Sequence, residues 1–118
     1  MSSETDLGRL LAGLSPILDP LEYGFETAAA PPLGGDFFAL IREDEGITVI
    51  RPGTGWARIT LGVHSSLVAI GLTARVAGAL AGRGISANVV AAFHHDHVFV
   101  PWDRRKETLT VLRALSGA

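Results

Sequence analysis

Residues 57–102 read ARITLGVHSSLVAIGLTARVAGALAGRGISANVVAAFHHDHVFVPW, and this stretch decides the fold. Its first seven residues alternate Ile59, Leu61 and Val63 against Arg58, Thr60 and Gly62, the period-two pattern of a half-buried strand. His64-Ser65-Ser66 leaves that strand. Leu72, Val76 and Leu80 then recur at i, i+4 and i+8 among alanines, which predicts a helix to about Ala81, stopped by Gly82 and Gly84. Residues 85–93 and 97–102 are two further β-rich runs, and the tight His94-His95-Asp96 link makes them a hairpin. Asp103 is placed to cap a last helix with Leu109, Leu112 and Leu115 on one face. The order β-α-β-β-α is most of a ferredoxin-like unit, an α+β fold with both helices on one face of an antiparallel sheet.

Upstream, Leu7, Leu10, Leu11 and Leu14 form a helical stripe over residues 5–14, with Ser3 or Thr5 as cap and Asp6 in the first turn. Ser15-Pro16 ends it and Asp19-Pro20 reads as a turn. Residues 22–28 read as a strand with Tyr23, Phe25 and Thr27 on one face. Residues 29–35, AAPPLGG, are a loop, stiffened by two prolines and loosened by two glycines. Residues 37–41 and 47–50 make a hairpin around the acidic tip Glu43-Asp44-Glu45. Arg51-Pro52-Gly53-Thr54-Gly55 is the clearest boundary in the chain. These pieces are a degenerate copy of the second half. The sequence therefore reads as two small βαββα-type modules in tandem, residues 1–55 and 56–118, sharing one core. The missing sixth strand of the second module, and the apolar residues on both sides of 89–93, call for cover from the first module or a second chain.

Composition bounds the function classes. With 118 residues, 47% hydrophobic and 19% charged, the chain buries a real core and is not disordered. It has no cysteine, which excludes disulfides, thiolate nucleophiles and Cys-based zinc sites. A net charge of -2 argues against nucleic acid as a partner. The first residues lack the basic start of a signal peptide, and no apolar run is long enough to span a bilayer, so a cytoplasmic protein without membrane attachment is expected.

Several runs carry a resemblance. Val63, the Gly71-Leu72 helix entry, the Gly82/Gly84 stop and Gly84-Ile85-Ser86-Ala87-Asn88-Val89 resemble an ACT domain, the regulatory module of amino-acid metabolism. With Glu43 to Thr48, Ile59-Thr60-Leu61, His64 to Thr73, Asn88 to Ala92 and His95 to Pro101, the chain resembles a small bacterial ACT-related family with two ACT-like halves and no assigned activity. That family is similar to the ACT pairs of the eukaryotic cytosolic arginine sensor. The resemblance implies tandem ferredoxin-like halves, no catalysis, no cofactor, a small-molecule ligand such as an amino acid, and side-by-side pairing into a homodimer. It also implies an effector site where the loop after the first strand meets a facing strand, which here means Ser65, Ser66, Ala69, Ile70 and Gly71, with Asn88 alongside. A free helix N-terminus there would offer N–H groups to a carboxylate.

Other candidates are weaker. His95 and His97 share a side of their hairpin while His94 faces away, so a metal site needs His64 as its third ligand. Glu43, Asp44 and Glu45 read as a solvated turn, and Arg104, Arg105 and Lys106 as surface. No phosphate-binding glycine loop or nucleophile elbow occurs. Two alternatives to a ligand-binding regulatory module stay open: a structural or protein-interaction module without ligand, and a His-based metal-binding protein.

Overall fold

The computed structural model describes residues 6–63 and 70–117 of the chain. Helix α1 (Leu7–Ala12) is capped by Asp6, whose carboxylate accepts from the Arg9 N–H at 2.9 Å. Asp6 is thus the cap itself and not a first-turn residue, because a short carboxylate just before the helix reaches its orphan N–H groups. Ser3 and Thr5 lie outside the described residues. Leu10 and Leu14 are buried, with Leu7 and Leu11 packed beside them.

Strand β1 (Ile17–Ala28) is longer than the sequence suggests, because Asp19-Pro20 lies inside it. Its ladder with β4 (Trp56–Thr60) shifts register between Leu18 and Glu22. Pro20, which has no N–H to donate, falls in that irregularity. Asp19 Oδ1 accepts the Leu21 N–H at 2.8 Å, a turn-like bond held within a strand. Strands β2 (Ala39–Glu43) and β3 (Gly46–Pro52) form the expected hairpin, its tip exposed and Glu43 bonded to the Thr48 hydroxyl.

After β4 the described chain continues with α2 (Leu72–Ala81), β5 (Asn88–Ala91), β6 (Asp96–Pro101), a 3-10 turn (Trp102–Arg104) and α3 (Arg105–Leu115). All strand pairs are antiparallel, and they join in one six-stranded sheet ordered β2-β3-β1-β4-β6-β5. From the centre outward each side runs first strand, third strand, second strand. The place of the missing fourth strand beside β4 is taken by β1. Each ferredoxin-like half therefore completes its sheet with the other's first strand.

Strand alternation divides the sheet into two faces. Ala57 and Ile59 of β4, Val98 and Val100 of β6, and Val89 of β5 face the helices. There they meet Leu72, Val76 and Leu80 of α2, the α1 leucines, and Val111 and Leu112 of α3. The α3 contact is centred on Val111 and Leu112, with Leu109 and Leu115 only half-buried at its margin. Of the described helices in this layer α2 and α3 belong to the second half and α1 to the first; between β1 and β2 the first half has the Pro-rich loop where its counterpart has α2. The opposite face is aromatic, with Tyr23, Phe38, Phe99 and Trp56 against Ile50 and Val90.

The expected Asp103 cap does not form: Arg104 stands at the start of α3 with no capping side chain, and Asp103 sits exposed in the 3-10 turn. Arg104 and Arg105 are half-buried, not plain surface. Arg104 bonds Glu107 Oε1 through Nε at 2.9 Å and donates to the Arg83 carbonyl at 3.0 Å, satisfying the chain end after α2. Arg105 stacks 3.8 Å above the Trp102 ring.

Candidate functional site

The aromatic face holds the site. Arg58 alternates away from the helix-side residues Ala57 and Ile59 and so emerges among rings. Its guanidinium lies 4.6 Å from the Phe38 ring centre and 5.4 Å from that of Tyr23. The β4–β6 register pairs Thr60 with His97, and the β1 irregularity brings Asp19 to the same place. Arg58 NH2 donates to Asp19 Oδ2 at 2.6 Å, and Arg58 NH1 lies 3.2 Å from His97 Nδ1, which is also 3.0 Å from Thr60 Oγ1. Arg58 Nε is closed off from water with no partner.

The electrostatics follow from this geometry. Burial raises the Asp19 pKa, but the Leu21 N–H, the bond and charge of Arg58 and the Tyr23 hydroxyl outweigh it and hold the carboxyl below its usual 3.8. Burial, then the charge of Arg58, then that of His95 lower His97 from 6.5 to about 4. The imidazole is neutral at pH 7, and because a guanidinium only donates, Nδ1 accepts.

Beside this network opens a cleft of ≈ 280 Å³. Its walls are Leu21, Tyr23, Phe37, Phe38 and Pro52, and its two charged groups are Arg58 and Asp36. The loop bearing Asp36 is pinned where the Phe38 N–H donates to the Ile50 carbonyl at 2.7 Å and the Phe38 ring meets Phe99, Tyr23 and His97 edge to face. The cleft combines apolar side chains with two charged groups of opposite sign, a mixed lining suited to a small polar metabolite.

Of the residues singled out from sequence, Ser65, Ser66 and Ala69 lie outside the described residues, as does His64. Ile70 is exposed, and Gly71 caps the start of α2 at φ +99°. A Cβ on Gly71 would stand 3.1 Å from Leu7 Cδ2, so this glycine answers to packing against α1 as well as to any ligand. Asn88 is exposed on the edge strand β5, opposite Phe99 and on the face away from the helices. The ten residues of α2, about 15 Å of helix, separate Gly71 from the turn that leads to Asn88. His97 has its Nδ1 committed, and among the described residues no three His, Asp or Glu side chains gather as a metal site.

Sequence reasoning passed over Arg58, Asp36, Phe37 and Phe38. The available signal was Asp36-Phe37-Phe38 straight after two glycines, a charged and aromatic cluster on a loop.

Residues 53–114 match the family model described as ACT domain, and residues 2–54 match a second model of the same description. A crystal structure of a Vibrio cholerae protein of unknown function, described as a possible transport protein, is 34% identical; the match covers 98% of this chain and 99% of that one, with a TM-score of 0.83. An Agrobacterium tumefaciens protein shares the fold at 23% identity, with 80% of this chain and 82% of that one covered and a TM-score of 0.65. No curated protein matches the chain.

Proposed function

Since the chain belongs to the ACT-domain family, we propose that it is a non-catalytic regulatory module that binds a small molecule, an amino acid in the first place. ACT domains are regulatory modules, and two of them in tandem account for nearly the whole chain. The observation that carries the ligand reading is the cleft on the aromatic sheet face. It offers a cation, a carboxylate and apolar walls within ≈ 280 Å³. The start of α2 at Gly71, with Ser65, Ser66, Ala69 and Ile70 before it in the chain, is a second place to receive a carboxylate in this reading, completed by Asn88 of another copy.

The protein works in this reading as a homodimer in the cytoplasm. Among the described residues, strands β2 and β5 are the two sheet edges, and each has one side of its backbone without a ladder partner. Among the described residues no helix is long and apolar enough to cross a membrane. A thermal-shift screen with the proteinogenic amino acids tests the reading, because a ligand that binds only the folded state raises Tm. A rise with one or a few of them supports it. Unchanged Tm with all of them favours an interaction module instead, whose surface would be the exposed Ile17, Leu21, Phe25 and Ile41.

A further inference from the structure

We infer that the cleft between Arg58 and Asp36 is the amino-acid site itself and selects a zwitterion with an aromatic or aliphatic side chain. The inference rests on the reading that this protein binds an amino acid. It adds where, and which.

Arg58 is preorganised. Asp19 and His97 fix its guanidinium, and two of its five N–H donors are spent on them. Nε is closed off from water, so the donors left for a ligand are the second N–H groups of NH1 and NH2, on a side chain that lines the cleft. This is an arginine held in one orientation with donors to spare, as carboxylate recognition requires. Asp36 lines the same cleft from a loop anchored through Phe38, and its carboxylate makes no hydrogen bond or ion pair with any described residue.

The charges that line the cleft choose among ligands. Asp19 is paired with Arg58 and does not line it, so the lining carries one guanidinium and one carboxylate, Arg58 and Asp36. A simple organic anion would meet Arg58 but stand beside Asp36. A simple amine would meet Asp36 but stand beside Arg58. An α-amino acid meets both, its carboxylate on Arg58 and its ammonium on Asp36, and stays neutral overall. What remains for its side chain is Tyr23, Phe37 and Phe38, flanked by Leu21 and Pro52. Such walls reward apolar burial and offer nothing to a second charge.

The test is calorimetric titration of the full chain with L-phenylalanine and L-leucine, with 2-phenylethylamine and 3-phenylpropionate as ligands that each lack one charge. The variants are Asp36→Asn and Phe37→Ala. Both residues are exposed at the cleft, so an unchanged Tm is expected and confirms folding. The result expected is binding of phenylalanine or leucine, at least about tenfold weakened by Asp36→Asn, weakened for phenylalanine by Phe37→Ala, and at least about tenfold weaker for either one-charge analogue. If an amino acid binds but both variants keep wild-type affinity, the site is elsewhere and this inference falls while the amino-acid reading stands. Equal affinity for phenylethylamine and phenylalanine overturns the zwitterion. If neither phenylalanine nor leucine binds, this inference falls; the amino-acid reading falls with it only when the thermal-shift screen of all the proteinogenic amino acids is silent too.

Discussion

Arg58 and His97 meet across the β4–β6 ladder, NH1 to Nδ1 at 3.2 Å. A guanidinium has no lone pair to offer, so the imidazole accepts and carries its proton on Nε2. The contact ties the protonation state of one residue to the orientation of the other.

The pH dependence follows. The folded pKa of His97, about 4, lies below its ordinary 6.5. Between those values the unfolded chain binds more protons than the folded one, so stability is full above about pH 6.5 and falls as pH drops toward 4. The ring C–H signals of His97 followed by NMR should show a midpoint near 4. Arg58→Gln should move that midpoint upward by removing a like charge. A wild-type midpoint near 6.5 would contradict the contact.

The helix-side core gives a packing prediction. Val76 and Leu80 are fully buried between α2 and the sheet. Leu80→Ala should cost about 2–5 kcal/mol, and Val76→Ala less, in denaturant unfolding. An unchanged midpoint for Leu80→Ala would show that α2 is not packed on this face.

Two glycines should respond in opposite directions. Gly62 has φ +76°, and a Cβ there would lie 1.9 Å from the Ser15 carbonyl oxygen, where the chain leaving β4 crosses the chain entering β1. Neither backbone can yield easily, because the Ser15 N–H is bonded to the Leu61 carbonyl at 3.0 Å. Gly62→Ala should destabilise by more than about 2 kcal/mol. Gly78, exposed on α2 with open space around it, should stabilise when changed to alanine, by about 0.5–1 kcal/mol. Thermal unfolding of both variants checks the pair.

The second half was legible because its signals are local. Ile59 and Leu61 alternate, Leu72, Val76 and Leu80 repeat on one helix face, and burial follows both patterns. The first half misled at Asp19-Pro20, whose turn chemistry is real but is absorbed by the shifted β1–β4 register. The Asp103 cap failed for a similar reason, because Arg104 finds carbonyls at the end of α2 that only the tertiary fold brings near. Arg58 looked like any polar residue on the outer side of a strand. Its surroundings come from Asp19, Tyr23, Phe38 and His97, each at least 20 positions away, and no periodicity encodes that meeting. Of the loop and strand positions favoured from sequence, Gly71 precedes α2 and Asn88 follows it on the edge strand β5, while Ser65, Ser66 and Ala69 lie outside the described residues.

Gly71→Val, the natural probe of the α2 loop, should lower stability as well as any binding there, because of its φ of +99° and the nearby Leu7 methyl. Asp36→Asn is the cleaner probe of the cleft. Comparing the two by calorimetry, with Tm measured on both, separates a ligand at the loop from one on the sheet face.

Amino-acid binding by this tandem ACT-type chain is the proposal on which the rest depends. The direct measurement is isothermal titration of the wild-type protein against each proteinogenic amino acid up to millimolar concentration. Saturable heat is expected from at least one, strongest among those with apolar side chains. Absence of heat from every one of them would contradict it.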